Sequence, residues 1–262
     1  LTSIGNFGEG PEEITVMGCL AIDEAHHQLY VSDHAKQKIF SYDMDSVMVD
    51  SLYKPQVKTA MNETLFPSEY QYINDTLSIA VLIKPTSTST FNQFLGRWNM
   101  NTGEMIPMKY THPDIQKKRI TFAASEKAGI YVECYTRHDL MTICSLDGEL
   151  LYNIYGPDWD GGNGNKLQSF GTVMIGNDKI FVSYCGEDYA RDSFPTKILV
   201  FDLEGNYLKT LETGYKISDC CYDSFNNRII LSLNDVVQFA YLDIDGIISV
   251  SYTHLRAHET LR

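Results

Sequence analysis

The sequence predicts an all-β protein, a β-propeller made of four-stranded antiparallel blades. Five short apolar strands recur along the 262 residues, centred on Tyr30, Ile79, Tyr131, Phe181 and Ile230. Their centres are separated by 49, 52, 50 and 49 residues, which suits a blade and is too long for leucine-rich or ankyrin units. Aromatic residues make up 12% of the chain, and together with frequent Val and Ile they favour strands.

Each repeat has the same internal order. A first strand ends in a turn rich in Gly, Asn and Asp, which tolerate left-handed backbone. The second strands are the apolar segments at 28–32, 76–83, 129–135, 179–185 and 228–233. The third strands read KIFSYDMDS, GRWNMNTGE, MTICSLDGE, ILVFDLEGN and FAYLDIDGI. Four of these five end in Asp or Asn followed shortly by Gly, a hairpin signal, and fourth strands such as ELLYNIY follow them.

This repeat predicts one propeller domain over residues 1–248 with five recognisable blades. The stretch 54–69 fits no strand pattern clearly. We expect no helix of more than eight residues before residue 248. Because neighbouring blades pack on both faces of a blade, the second strands should be buried on both sides. The residues concerned are Tyr30, Val31, Ile79, Ile130, Val132, Ile180, Val182, Ile229 and Leu231.

Both termini of the sequence are unusual. From residue 250 the chain reads VSYTHLRAHET, which resembles a translated transposase-type sequencing adapter, so we expect 249–262 to lie outside the fold. The chain starts at Leu1, and no basic segment followed by an apolar one comes behind it. A removed signal or lipid-anchor segment and a fragmentary sequence both explain this start.

Composition excludes some classes of function. The net charge of −13 and the pI of about 4.9 argue against a nucleic-acid partner, because this field repels phosphate. No apolar run reaches the length of a transmembrane helix. The six cysteines form no C-x-x-C pair, so neither a zinc cluster nor a thioredoxin motif is indicated. Cys134 and Cys144 flank a predicted hairpin, where they either pair or remain free.

The opening segment resembles a known group of propellers. The run IGNFGEGPEEI, with Gly8, Gly10 and Pro11, precedes AIDEAHHQLYVSD, and together they resemble NHL-like and TolB-like six-bladed propellers typical of Bacteroidales. The segment IYGPDWD at 154–160 repeats the Gly-Pro linker between blades. The resemblance spans residues 1–248. It implies six blades, of which the last is incomplete in this sequence, and a location in the periplasm or outer cell envelope. It implies little about activity, because its motifs mark turns and linkers.

The candidate ligand-binding residues lie in the loops between second and third strands. In a propeller these loops share one face with the links between blades, and long loops there commonly carry function. Asp33–His34 and Arg137–His138–Asp139 occupy corresponding positions, where histidine is also a common metal ligand. The alternative is a solvated loop with surface ion pairs of little energetic value. The full set is Asp33, His34, Arg137, His138, Tyr184, Glu187, Asp188 and Arg191.

The segment DWDGGNGN at 158–165 is a candidate site for a divalent cation such as calcium. Asp158, Asp160, Asn163 and Asn165 supply the hard oxygen ligands that calcium prefers. The glutamate that closes an EF-hand loop is missing, and ordinary linker composition explains the same residues. The sequence contains neither a G-x-S-x-G nucleophile motif nor a phosphate-binding loop, and it indicates no catalytic residue.

The sequence therefore predicts a binding or scaffolding propeller whose ligand is a protein, peptide or glycan. The alternative is a metal-dependent hydrolase or lyase, lactonase-like or amidating-lyase-like, that uses the central channel. A structural envelope protein without a ligand is a third class. Metal analysis distinguishes the second class from the other two.

Overall fold

A computed structural model of the chain describes residues 4–50, 52–60, 65–116, 118–163, 167–188 and 194–245. Within these ranges the chain forms nineteen strands and one complete short helix, and the strands form five antiparallel sheets. Each sheet consists of strands consecutive in sequence, so each is one blade, and the predicted β-propeller class is confirmed. The chain divides into two compact units, Leu1–Lys109 and Tyr110–Arg262.

The first unit contains blades 1 and 2. Blade 1 consists of β1 (Met17–Asp23), β2 (Gln28–Asp33), β3 (Lys38–Asp43) and β4 (Gln56–Ala60). Blade 2 consists of β5 (Phe66–Asn74), β6 (Leu77–Pro85), β7 (Phe91–Trp98) and β8 (Met105–Pro107). The stretch that the sequence pattern left unassigned therefore contains β4 and the beginning of β5.

The helix α1 (Met44–Val49) lies between β3 and β4, after the third strand that lacks the hairpin signal. Its six residues fall within the predicted limit of eight. Asp43 caps it, because the Asp43 carboxylate accepts a hydrogen bond of 2.7 Å from the Ser46 backbone N–H. Where the Gly that would make a tight hairpin is missing, the chain makes one capped helical turn before β4.

The second unit contains blades 3, 4 and 5. Blade 3 consists of β9 (Ile120–Ser125), β10 (Ile130–Tyr135), β11 (Leu140–Ser145) and β12 (Leu150–Tyr155). Blade 4 consists of β13 (Leu167–Gly176), β14 (Lys179–Asp188), β15 (Lys197–Asp202) and β16 (Tyr207–Glu212). Blade 5 contains β17 (Ile217–Asp223), β18 (Arg228–Leu233) and β19 (Phe239–Asp243) within the described residues.

The predicted second strands are confirmed. The strands β2, β6, β10, β14 and β18 each occupy the second position in their sheet. All nine residues that we expected to be buried are buried. The tight turn between β13 and β14 places Asn177 and Asp178 at φ of 46° and 57°, a backbone region that these two residue types tolerate best after Gly.

In the second unit, apolar clusters join each blade to the next. Val132 of β10 and Ile180 of β14 belong to one cluster, which joins blades 3 and 4. Phe181 of β14 and Ile229 of β18 belong to another, which joins blades 4 and 5. Alternate residues of β14 therefore pack against different blades, because successive side chains of a strand point to opposite faces.

Cys134 and Cys144, which the sequence left as either a disulfide or two free thiols, do not form a disulfide. Cys134 and Cys144 are free and buried, and they are not opposite each other: Cys134 is paired with Met141 and Cys144 with Tyr131. Burial raises the pKa of the Cys144 thiol to about 11.

No helix in the described part of the chain has the length and hydropathy to span a membrane. Residues 249–262 lie outside the described residues, so the adapter-like tail stays a prediction.

Candidate functional site

Three connecting segments of the second unit meet at one end of blade 3. They are the connection before β9, the loop between β10 and β11, and the link that follows β12. The pairing places them together, because Tyr135 lies opposite Ile120 and Leu140 lies opposite Tyr155. We call this region the Trp159 surface, defined by His112, His138, Tyr155, Trp159 and Asp160.

The indole of Trp159 lies at the centre of this surface. Its ring centroid is 5.1 Å from that of Tyr155, 5.4 Å from that of His112 and 6.1 Å from that of His138. These separations fall within the range of favourable aromatic pairs. Trp159 is partly exposed and Tyr155 is 49% exposed, while both histidines are buried. The surface therefore presents two aromatic rings to solvent above two buried imidazoles.

His112 supports Tyr155 from below. The Asp114 backbone N–H donates a hydrogen bond of 3.3 Å to His112 Nδ1, and His112 Nε2 lies 3.0 Å from the Tyr155 hydroxyl. This arrangement assigns the hydrogen of the neutral imidazole to Nε2, which donates to Tyr155. Burial lowers the pKa of His112 and Lys118 adds to the effect, whereas Asp114 opposes it. His112 is therefore a neutral hydrogen-bonding support near pH 7.

His138 and Asp160 face each other without forming a hydrogen bond. His138 Nδ1 and Asp160 Oδ1 are 3.8 Å apart, beyond hydrogen-bond distance. Both atoms are buried and have no hydrogen-bond partner in the described part of the chain. Burial lowers the pKa of His138, and the Asp160 carboxylate partly offsets that effect. These two polar atoms lie close to the partly exposed Trp159 ring and are free to bond to a ligand or to water.

Asp139 fixes the start of the link that carries Trp159. The Asp158 backbone N–H donates to Asp139 Oδ2 at 3.0 Å, and the Gly156 N–H donates to the Asp139 carbonyl at 2.9 Å. A Cβ at Gly156 would lie 2.0 Å from an Asp139 carboxylate oxygen, so only glycine fits there. Burial raises the pKa of Asp139, and the nearby Asp158 carboxylate adds to the rise.

The predicted residues of blade 4 extend the same end of the unit. Burial raises the pKa of Tyr184 to about 12, and the carboxylates of Asp139 and Asp158 contribute to this shift. Arg137 and Glu187 are exposed. Asp188 is partly exposed, at the end of β14. Arg191 and Asn165 lie outside the described residues, so their assignments stay predictions.

Asp33, in the first unit, is engaged with the backbone. The Asp33 carboxylate is buried and accepts hydrogen bonds from four backbone N–H groups, those of Thr15, Val16, Ala35 and Lys36, at 2.8 to 3.2 Å. Burial alone would raise the pKa of Asp33, but these four bonds hold it below its usual value. Asp33 therefore ties the segment before β1 to the loop after β2.

His34 also packs internally. Its ring covers Gly18 of β1, and a Cβ at Gly18 would lie 2.3 Å from His34 Nε2. His34 Nε2 is buried and has no hydrogen-bond partner in the described ranges. The corresponding residues of blades 1 and 3 thus share a pattern, a buried imidazole nitrogen without a partner next to a carboxylate that accepts backbone N–H groups.

The calcium candidates are close in sequence, but their groups point to several partners. The Asp158 backbone bonds to Asp139, and the Asp160 carbonyl accepts a hydrogen bond of 2.7 Å from Asn163 Nδ2. Among the described residues, no three His, Cys, Asp or Glu side chains are grouped as metal ligands. Calcium at this link stays a prediction.

Sequence reasoning missed three residues of the Trp159 surface: His112, Tyr155 and Trp159. Tyr155 belongs to the segment that the sequence marked only as a Gly-Pro linker, and Trp159 belongs both to that segment and to the calcium candidate at 158–165, where its neighbours alone were named. A tryptophan in such a linker is itself a signal, because linkers run over the surface and aromatic residues are enriched at binding surfaces. His112 carries no comparable local signal.

Comparison with known proteins identifies the family and the fold of this chain, and it gives no activity or ligand. Residues 1–133 match the model of the family DUF5128, described as a 6-bladed β-propeller. A protein of unknown function from Bacteroides caccae has a similar structure, with a TM-score of 0.50, 11% identity, and coverage of 87% of this chain and 77% of that one. No curated protein matches the chain.

A second similar structure is the extracellular domain of a putative one-component system from B. thetaiotaomicron. The TM-score is 0.54 at 13% identity, and the match covers 85% of this chain and 27% of that one. The chain thus spans well under half the length of that protein. At these identities the likeness of both structures shows the fold alone.

Proposed function

Because the chain belongs to the six-bladed β-propeller family DUF5128, we propose that it is a binding module whose ligand lies on the Trp159 surface. The observation that carries the proposal is the partly exposed Trp159 ring, which lies beside Tyr155 and above two buried histidines. The resemblance of the opening residues to NHL-like and TolB-like propellers of Bacteroidales supports a location in the periplasm or outer cell envelope.

The chemistry of the surface defines the ligand. Trp and Tyr rings supply apolar area at low entropic cost and tend to dominate binding energy. At the same end of the unit, Asp158 and Glu187 provide exposed carboxylates and Arg137 an exposed guanidinium. A ligand with an apolar patch and hydrogen-bonding groups at its edge fits this combination. A peptide, a protein loop or a glycan chain has that character.

The test is to apply the labelled protein to a glycan array and to a peptide array. We expect a specific ligand, and we expect Trp159→Ala to weaken its binding by about 2 kcal/mol or more, since central aromatic residues commonly contribute that much. Tyr155→Ala should weaken binding as well. Tyr152→Ala is the matched control, because Tyr152 lies on the same strand at a similar exposure. Unchanged binding by Trp159→Ala, or no ligand on either array, contradicts the proposal.

The alternative, a metal-dependent hydrolase or lyase, is tested with the same preparation. If the protein is a binding module, chelation should abolish no hydrolytic activity, even if metal analysis of the purified protein finds calcium at the link 158–165. A bound ion at one per chain, together with hydrolysis of a lactone or ester that is lost on chelation, supports the alternative. A protein with no ligand and no metal fits a structural envelope role.

A further inference from the structure

A cavity lies at the end of the second unit opposite the Trp159 surface. Its volume is about 310 Å³, and it lies among the turns that join the first and second strands of blades 3, 4 and 5. We call it the turn cavity. The strand β10 begins at this end and finishes at the loop that contains His138, so the turn cavity and the Trp159 surface are separate. The sequence prediction that contacts come from the loops between second and third strands does not account for it.

The floor of the turn cavity is apolar and firmly packed. Ile175, Leu203 and Ala128 line it and also pack against the core cluster of blades 3 and 4. The Tyr222 ring lies against Gly176, where a Cβ would be 2.2 Å from Tyr222 Cε1. A floor of this kind needs little rearrangement to accept a ligand, which reduces the entropic cost of binding.

Tyr222 is held in place on two further sides. Its ring stacks on Phe181 with centroids 5.8 Å apart and an interplanar angle of 15°. Its hydroxyl donates a hydrogen bond of 2.6 Å to Asn227 Oδ1. The aromatic wall of the cavity is therefore fixed before any ligand arrives.

The rim of the turn cavity is polar and carries balanced charge. Among the residues that line the cavity, Lys127 and Asp178 are charged, and Ser125 and Ser224 add hydroxyl groups. The Ser125 hydroxyl oxygen accepts from the Ala128 N–H at 3.2 Å, so its hydrogen can be donated to a ligand. A rim with one cation, one anion and several neutral groups suits a neutral ligand with many hydroxyl groups.

We propose that the turn cavity binds a neutral hexopyranose, either free or as one residue of a glycan. The volume lies at the lower end of the range for small-molecule pockets, which run from about 300 to 1,000 Å³. One pyranose ring has the required size, an apolar C–H face for Tyr222 and Leu203, and hydroxyl groups for Lys127 and Asp178. This site is independent of the ligand proposed for the Trp159 surface.

The test follows the methyl resonances of Ile175 and Leu203 by NMR while D-glucose, D-galactose or D-mannose is added. For a ligand of a dozen heavy atoms we expect a Kd of about 1 mM. Ser224→Trp should block the mouth of the cavity and abolish the shifts. Lys127→Ala should weaken binding by about tenfold through loss of a charged hydrogen bond. Lys216→Ala is the matched control, because Lys216 is exposed at the opposite end of blade 5.

Two results overturn the proposal. One is the absence of methyl shifts with all three sugars at concentrations of about 50 mM, well above the expected Kd. The other is binding that persists in Ser224→Trp, or a shift of the Trp159 indole N–H resonance with no shift of the Ile175 and Leu203 methyls. Unchanged thermal unfolding of the variants excludes misfolding as the cause of a loss. Because array binding through Trp159 uses the other end of the unit, either proposal can fail alone.

Discussion

The carboxylates of Asp33 and Asp160 lie in very different environments. Asp33 is surrounded by backbone donors, whereas Asp160 faces a histidine nitrogen that it does not reach. A buried carboxylate that accepts several N–H bonds stabilises the charged form and anchors the backbone. A carboxylate with one oxygen buried and without a hydrogen bond, as in Asp160, carries a desolvation cost at that oxygen, and a small movement or a bound group relieves it. The two environments lead to separate predictions.

Replacement of Asp33 should destabilise the first unit. Asp33→Ala leaves four partly buried backbone N–H groups without their acceptor, and we expect a loss of about 1–3 kcal/mol in the free energy of unfolding. Urea unfolding at neutral pH measures this loss. Glu24→Ala, at an exposed turn residue, is the control and should change stability little. Equal stability of the two variants would show that the Asp33 anchor is dispensable.

The same residue predicts part of the acid response. The folded pKa of Asp33 is below its unfolded value of about 3.9, so its contribution is complete above that pH. It is lost as the pH falls through the lowered folded value. Asp33→Asn should therefore show a shallower loss of stability between neutral pH and about pH 3 than the parent chain. A parallel loss in both proteins contradicts this assignment.

His138 should titrate below its ordinary value. Its folded pKa is lowered from about 6.5, so the stability linked to its neutral form falls as the pH drops below that value. NMR titration of the His138 imidazole gives the midpoint directly. Asp160→Asn removes the charge that raises this pKa and should lower the midpoint further. A midpoint above the ordinary value, or one that rises in Asp160→Asn, is the contrary result.

At the scale of the element, burial differs sharply between neighbouring strands of a blade. In blade 3, every residue of β10 is buried, and β11 is buried apart from its last residue. The outer strand β12 has four exposed residues among its six. Stability should therefore reside in the inner strands, and the outer strand should tolerate substitution.

Two leucines on adjacent strands test this difference. Leu140 of β11 is fully buried and Leu151 of β12 is 45% exposed. We expect Leu140→Ala to cost about 2–5 kcal/mol and Leu151→Ala less than about 1 kcal/mol. Both substitutions remove the same atoms from the same blade, so chemical unfolding of the two variants isolates the effect of burial. Similar losses in both would mean that β12 contributes as much as β11.

The elements could be predicted from the sequence because their signals are local. The apolar run around Phe181 and the turn at Asn177 and Asp178 lie within one repeat, and alternation and turn chemistry suffice to place them. The helix α1 could not be predicted from Asp43 alone. A third strand that lacks the Gly of a hairpin turn can be followed by a longer loop, a turn or a helix. Strand existence was predictable, whereas the connection between β3 and β4 was not.

The Trp159 surface could not be predicted in the same way. His112, His138 and Trp159 come from three separate connections. They are brought together only when the four strands β9, β10, β11 and β12 pair in one sheet. His138 and Asp160 appeared in the sequence as two unrelated candidates, one for a ligand and one for calcium. Their approach depends on tertiary packing, which no periodicity encodes.

At the scale of the molecule, the predicted tail is the sharpest test of where the fold ends. Residues 249–262 contain two arginines and two histidines, which are costly to bury without partners. A chain ending at residue 248 should keep the thermal midpoint and solubility of the full chain. A chain ending at residue 238 lacks β19 and is the positive control, because loss of a paired strand should lower the midpoint. A lower midpoint on removal of the tail alone would make it part of the fold.

The placement of Trp159 also gives the protein an intrinsic optical probe. The chain has two tryptophans; Trp98 is 1% exposed and Trp159 is partly exposed. Iodide, a collisional quencher that does not enter the core, should reduce the emission of Trp159 and leave that of Trp98. A ligand that covers the indole would protect its fluorescence, so occupancy of that surface can be followed without a label. A sugar bound at the far end of the unit would leave the quenching unchanged.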